Sequence, residues 1–392
     1  MNSRYAKYWK VAASALALML VAGGHQALAQ SGEGITPDTI SIGTSTPLTA
    51  GGGVCKPIED GTSAWFAHVN SQGGINGRKI DHIVLDDSYK APEALANGRE
   101  LVAKPVFAFF GGCGSLQPVT LLPIAVQNKM DYYFPLAGNN DLLTSKNAFN
   151  LIPAYTQQFG AITGYALEKH GPGSLMVVAG DIPGMTEAAE KMREMIEEAG
   201  GTFLGMERVT QQESDYTPLA LKIKAARPDY IALNMIGSSS ARFFKALEAN
   251  EAFPAKMILG SQAHTTPAFL ESAGSGVNGR FLIPLSNVPP SDERAKSCLD
   301  VLGDAAPAAT SLTAWGCAIA QVLTAAIEET PEPLTREGIA KTLNGWKAKE
   351  ASPLFPPITF SETQRLGLDH MFVLEIEDGK AVATDTVPIP TL

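Results

Sequence analysis

Several chemistries are missing from this chain of 392 residues. The stretch Gly51-Gly52-Gly53-Val54-Cys55-Lys56 misses the GxGxxG dinucleotide pattern, and no phosphate-cradling GxxxxGK motif follows any strand. No GxSxG nucleophile elbow occurs. No CxxC pair occurs, which argues against a zinc site or a thioredoxin-like redox centre. The histidines, among them His68, His82, His170, His264 and His370, are scattered rather than clustered. An enzyme needs a nucleophile–base pair or a metal cluster, and neither is visible. Positive charge is also in deficit: 30 Lys and Arg face 40 Asp and Glu, a formal net charge of −10. That balance argues against nucleic acid or an anionic membrane surface as partner.

What is present is an ordinary globular composition, 45% hydrophobic and 18% charged, long enough for two domains. Residues 1–29 read as a secretory signal peptide. Arg4, Lys7 and Lys10 form a basic region without acids, Val11 to Gly23 is apolar, and Ala27-Leu28-Ala29 is a cleavage site before Gln30. There is no twin Arg and no Cys behind the apolar run. After residue 30 no other stretch reads as long and apolar enough to span a bilayer. The expected product is a soluble periplasmic protein.

In that oxidising compartment four cysteines carry information. Cys55, Cys113, Cys298 and Cys317 allow three pairings. Cys55 and Cys113 sit in glycine-rich turns placed at one sheet edge, and Cys298 and Cys317 in successive helical patterns. Disulfides Cys55–Cys113 and Cys298–Cys317 are therefore expected.

The segment from Phe107 to Leu143 organises the rest. Val106–Phe110 is an apolar run too short for a helix, stopping at Gly111-Gly112, as suits a parallel strand buried on both faces. Ser115–Gln127 has helical spacing with Ser115 as N-cap. Tyr132–Pro135 is the next strand, and Ala137-Gly138-Asn139-Asn140 its exit turn. Two neighbouring parallel strands bring both turns to one edge, where backbone N–H groups can hold a small anionic or polar ligand.

Strand and helix patterns alternate around this segment, which predicts a doubly wound α/β architecture. Phe149–Pro153 reads as a crossing segment before a second βα series. Pro357–Phe360, His370–Ile376 and Ala381–Thr386 read as late strands, with Asp378-Gly379 as a hairpin turn. Asp86 and Asp87 read as a capped strand end rather than as paired catalytic carboxylates. Trp65 and Trp315 read as core, and Trp346 as core or surface. His264, at a strand-end loop, is a candidate solute contact.

Taken together, IxIGxxxPLTxGGG (Ile40 to Gly53), NxxGGINGRKI (Asn70 to Ile80), LDDSYKAPEALANGRELV (Leu85 to Val102), FGGCGSLQP (Phe110 to Pro118), FPLAGNNDLL (Phe134 to Leu143), ARPDYI (Ala226 to Ile231) and ITFSETQR (Ile358 to Arg365) resemble a known family. The chain is similar to ABC-transporter solute-binding proteins of the periplasmic type I class, the leucine/isoleucine/valine-binding group. The resemblance implies two Rossmann-like α/β lobes joined by three hinge crossovers, lobe one at 38–152 plus 287–354 and lobe two at 153–286 plus 355–392. It also implies capture of a small solute between the lobes, delivery to ABC permease and ATPase subunits, a monomeric state, and no cofactor or metal.

The resemblance places the ligand carboxylate at Gly114 and Ser115 and at Ala137, Gly138 and Asn139. On lobe two it places Met185 and Ile236 where amino-acid-binding members carry aromatics. Gln262 stands where those members carry the acid that holds the α-ammonium; a shift of register near Ser261–His264 would bring Glu271 there instead. A Gln cannot neutralise an ammonium ion, and a buried unpaired charge is costly. A neutral polar solute, or a carboxylate without an amine, is expected instead of a standard branched-chain amino acid. A periplasmic ligand sensor of the same fold is the alternative reading.

Overall fold

The computed structural model describes residues 34–49, 55–210, 213–235, 237–265 and 267–391. The expected signal peptide and Gly51–Gly53 lie outside these residues. Strand β1 (Thr39–Thr46) leads to helix α1 (Lys56–Ser71), then β2 (Lys79–Asp86), α2 (Ala91–Ala103), β3 (Ala108–Phe110), α3 (Gln117–Gln127), β4 (Tyr132–Tyr133), α4 (Asn140–Thr144) and β5 (Ala148–Phe149). These strands form an all-parallel sheet in the order β2-β1-β3-β4-β5. Its strand order turns back between β1 and β3. Both faces of the short central strands are buried, which is why they read as continuous apolar runs.

The second series is α5 (Tyr155–His170), β6 (Ser174–Gly180), α6 (Met185–Glu198), β7 (Thr202–Val209), α7 (Thr217–Ala226), β8 (Tyr230–Asn234), α8 (Gly237–Ala249), β9 (Met257–Leu259), α9 (Pro267–Ala273) and β10 (Phe281–Leu285). The chain then returns through α10 (Lys296–Leu302), α11 (Ser311–Glu329) and α12 (Arg336–Asn344), and ends with β11 (His370–Glu377) and β12 (Lys380–Pro388). The second sheet runs β12-β11-β10-β9-β8-β6-β7, turning back between β6 and β8. Its last two strands are antiparallel. The hairpin between them turns at Asp378 and Gly379, both at positive φ (48° and 73°), as its Asp-Gly signature predicts.

Four expectations are corrected. Ala148–Phe149 pairs with β4 as an edge strand, so the crossing segment begins only at Asn150. Pro357–Phe360 is no strand; only Ile358 bridges, to Lys349, because the prolines beside it have no N–H to give. Ser115 does not cap α3: Leu116 is the N-cap, its N–H donates to Gln117 Oε1 (3.3 Å), and Pro118 sits in the first turn, where its missing N–H is harmless. Finally, α11 is by length and composition apolar enough to cross a bilayer. It is instead a core helix, with Trp315 buried edge-on against Phe355. Trp346 is core as well, its indole donating to Glu329 (3.0 Å).

Helices α1 and α11 pack through glycines. A Cβ on Gly316 would lie 1.8 Å from the Ile58 carbonyl oxygen, and one on Gly61 would lie 2.0 Å from that of Thr313. Backbone touches backbone here, so no rotamer change can make room. Near the start of α1, Glu59 accepts from Ser63 (2.6 Å) and lies 3.4 Å from His82 Nδ1. Burial raises the Glu59 carboxyl to about 7 and lowers His82 to about 4, so the pair is neutral in mild acid.

Two outcomes are expected. Gly316→Ala should cost about 2–3 kcal/mol by overpacking, read as a lower denaturant midpoint; an unchanged midpoint would refute the contact. A carboxyl raised in the folded state loses stability as pH rises through its folded value. Glu59→Gln should therefore gain more in Tm over wild type at about pH 8.5 than at about pH 5. Thermal melts at both values check it.

Candidate functional site

The turns at the carboxyl ends of the strands meet at one place. Cys113, Gly114 and Ser115 follow β3, Leu136 and Gly138 follow β4, and Tyr89 follows β2. Across from them stand Ile182 after β6, Asn234 at the end of β8, and Ser261 and Gln262 after β9. Between the two sets lies a cavity of about 80 Å³, closed at the crossing segment by Ile152, Tyr155 and Gln158 and at α11 by Leu312. This is the crevice where doubly wound sheets reverse their strand order. Two larger grooves, about 790 and 750 Å³, lie elsewhere and are not framed by these turns.

Both expected disulfides are present, with Cα–Cα separations of 5.8 Å for Cys55–Cys113 and 6.0 Å for Cys298–Cys317. The first ties the segment after β1 to the turn after β3, and both its cysteines line the cavity. In the β3 turn, Gly111, Gly112 and Gly114 all have positive φ. A Cβ on Gly112 would also lie 2.7 Å from the Ser45 carbonyl oxygen, so the turn needs glycine there twice over.

The rim is set by carboxylates that do not face the cavity. Asp87 accepts from the Ser45 hydroxyl and from the Tyr89 N–H, both at 3.0 Å, and burial raises it to about 6. Asp86 accepts from Thr49, Leu48 N–H and Ser88 N–H, which hold it down at about 2. These are strand-end caps, as their spacing suggests. On the other lobe His264 is buried, packed edge-on against Phe269 and Phe281. It does not reach the cavity. Its Nδ1 accepts the Ser261 N–H (3.1 Å), and burial lowers its pKa to about 4, so it is a neutral prop for the Ser261 turn.

Of the residues singled out from sequence, Gly114, Ser115, Gly138 and Gln262 line the cavity. Ala137 is turned into a small apolar cluster with Leu122 and Leu142. Asn139 is the N-cap of α4 and is buried beside the cavity rather than lining it. Met185 is a core residue at the start of α6, and its Sδ accepts from Asn234 Nδ2 (3.0 Å). Ile236 lies outside the described residues. Glu271 is exposed and does not line the cavity. Sequence reasoning missed Tyr89, Tyr155, Gln158, Asn234 and Ser261. Only Asn234 left a signal: a polar residue closing the buried run Tyr230–Asn234.

Among the described lining residues none carries a charge. Hydroxyls, side-chain amides and backbone groups supply all the polarity, so the site can offer hydrogen bonds but no counter-ion.

The family model described as periplasmic binding protein matches residues 39–381. The chain belongs to that family. A periplasmic binding protein of this type binds a solute and is not an enzyme. Among its relatives is a Leu/Ile/Val-binding protein homolog from Brucella melitensis, 21% identical over 351 residues, covering 88% of this chain and 94% of the relative. Two solved structures share the fold with a TM-score of 0.81. One is a fatty acid ABC transporter substrate-binding protein from Thermomonospora curvata, 21% identical, covering 92% of this chain and 94% of that one. The other is a branched-chain amino acid ABC transporter protein from Thermus thermophilus with bound valine, 17% identical, covering 91% and 98%. These likenesses show the two-lobed fold.

A depressed histidine contributes stability that is complete above its ordinary value and is lost as pH falls through the folded one. Replacing His264 by Phe should therefore flatten the fall in Tm between about pH 6.5 and about pH 4, checked by melts at fixed ionic strength. An unchanged slope would show that His264 is not held neutral.

Proposed function

We propose that this periplasmic binding protein is the extracytoplasmic receptor of an ABC importer, exported behind a cleaved signal peptide. It captures a small polar or carboxylate-bearing solute that lacks an α-ammonium group. The solute sits between lobes at 38–152 plus 287–354 and 153–286 plus 355–392, and the closed monomer hands it to the permease. Gly114, Ser115 and Gly138 bind from the first lobe and Gln262 from the second.

One observation carries this reading: the cavity's described lining holds no carboxylate, and Gln262 stands there instead. An ammonium group closed into such a site would lose its hydration with no opposite charge to replace it. Two proteins of this fold are named for a fatty acid and for branched-chain amino acids, so the fold itself does not choose the solute.

Calorimetry tests the reading. L-Leucine should give no saturable heat, and a micromolar leucine isotherm would overturn the ammonium argument. For the best solute from a thermal-shift screen, Ser115→Ala should weaken binding by about three- to tenfold, the worth of one hydrogen bond, with Tm unchanged.

A further inference from the structure

We infer that Tyr155 and Asn234 complete, with Ser115, the recognition element of the cleft, and that the solute they select is a short uncharged carboxamide. The inference rests on the cleft reading above and narrows it.

Tyr155 is held at the meeting of the two lobes. It is the first residue of α5, and its N–H donates to the Gly138 carbonyl (3.0 Å). Its ring lies between two turns that belong to different sheets. A Cβ on Gly138 would come within 3.0 Å of the ring, and one on Gly184 within 3.4 Å. Both glycines thus leave room for one aromatic face. The hydroxyl lies 3.5 Å from Ser115 Oγ and also meets the Asn234 side chain. It is a half-buried link from the β3 turn to the end of β8.

Each member of this trio can both donate and accept a hydrogen bond. A solute that presents a carbonyl and an N–H together matches such a surface. An ammonium group only donates and meets no acid here. A carboxylate only accepts, and like the ammonium it would be buried here with no opposite charge among the described lining residues. The neutral group is the one whose transfer into this site is least costly. Size narrows the choice further: the cavity of about 80 Å³ is roughly half the volume known to hold a benzene ring, which suits a chain of a few heavy atoms.

The probes are propionamide, propionate and L-alanine, three solutes of matched size and different charge, titrated into the whole mature chain. Propionamide should bind at least about tenfold more tightly than the other two, a difference of about 1.4 kcal/mol. Tyr155→Phe keeps the ring and removes the hydroxyl; it should weaken propionamide binding about tenfold while lowering Tm by no more than a few degrees. Asn234→Leu should do the same, and Tyr155→Phe decides the matter if that strand variant fails to fold. Tighter binding of propionate or L-alanine, binding of none of the three, or wild-type affinity in Tyr155→Phe overturns the inference. If Ser115→Ala weakens the bound probe while Tyr155→Phe does not, only this inference falls. If both variants keep wild-type affinity, the cleft reading falls with it.

Discussion

Three crossings of one chain share a narrow strip between the sheets, and Arg365 is packed against the start of the first. The residue is buried, its guanidinium lying 3.8 Å from the centroid of the Phe149 ring. Its Nε donates to the Ala148 carbonyl (3.0 Å) and its Nη1 to Asn344 Oδ1 (2.8 Å). The backbone around it is zipped to the first crossing: Asn150 N–H donates to the Arg365 carbonyl and Gly367 N–H to the Asn150 carbonyl. The second crossing joins through Val288 N–H and the Leu354 carbonyl. The Arg365 Nη2 is buried without a hydrogen-bond partner among the described residues, so removing the Ala148 or the Asn344 acceptor would leave the cation still less compensated. Asp131, the nearby acid, is itself pushed up to about 6 by burial.

Everything at the cleft is downstream of that strip. The first crossing runs from Asn150 directly into Tyr155, so the hinge and the cavity wall are five residues apart in sequence. A change in the angle between the sheets must move Tyr155 relative to Gly138 or Gly184. Hinge closure around a guest is a known use of this layout, and here the hinge delivers one of the wall's own side chains.

The architecture was largely legible because parallel strands buried on both faces leave short apolar runs with a clear stop: Val106–Phe110 stops at Gly111-Gly112 and Tyr230–Leu233 at Asn234. The cavity was legible only in part. Gly114, Ser115, Gly138 and Gln262 follow strand ends, where position in the sequence translates into position at the crevice. Tyr155 and Gln158 belong to a helix whose rotation about its axis no local pattern fixes. Met185 occupies a ligand-facing place by resemblance, yet a flexible thioether followed by an amphipathic helix settled into the core. The strand expected at Pro357–Phe360 failed for a local reason, since the prolines beside Ile358 cannot extend a ladder.

The Cys55–Cys113 bond has a meaning beyond holding two turns together. It is part of the cavity wall, so the binding protein has this rim only where thiols are oxidised. With the bridge reduced, the same two turns would have to hold their spacing by backbone and side-chain contacts alone, without a covalent tie across the lip.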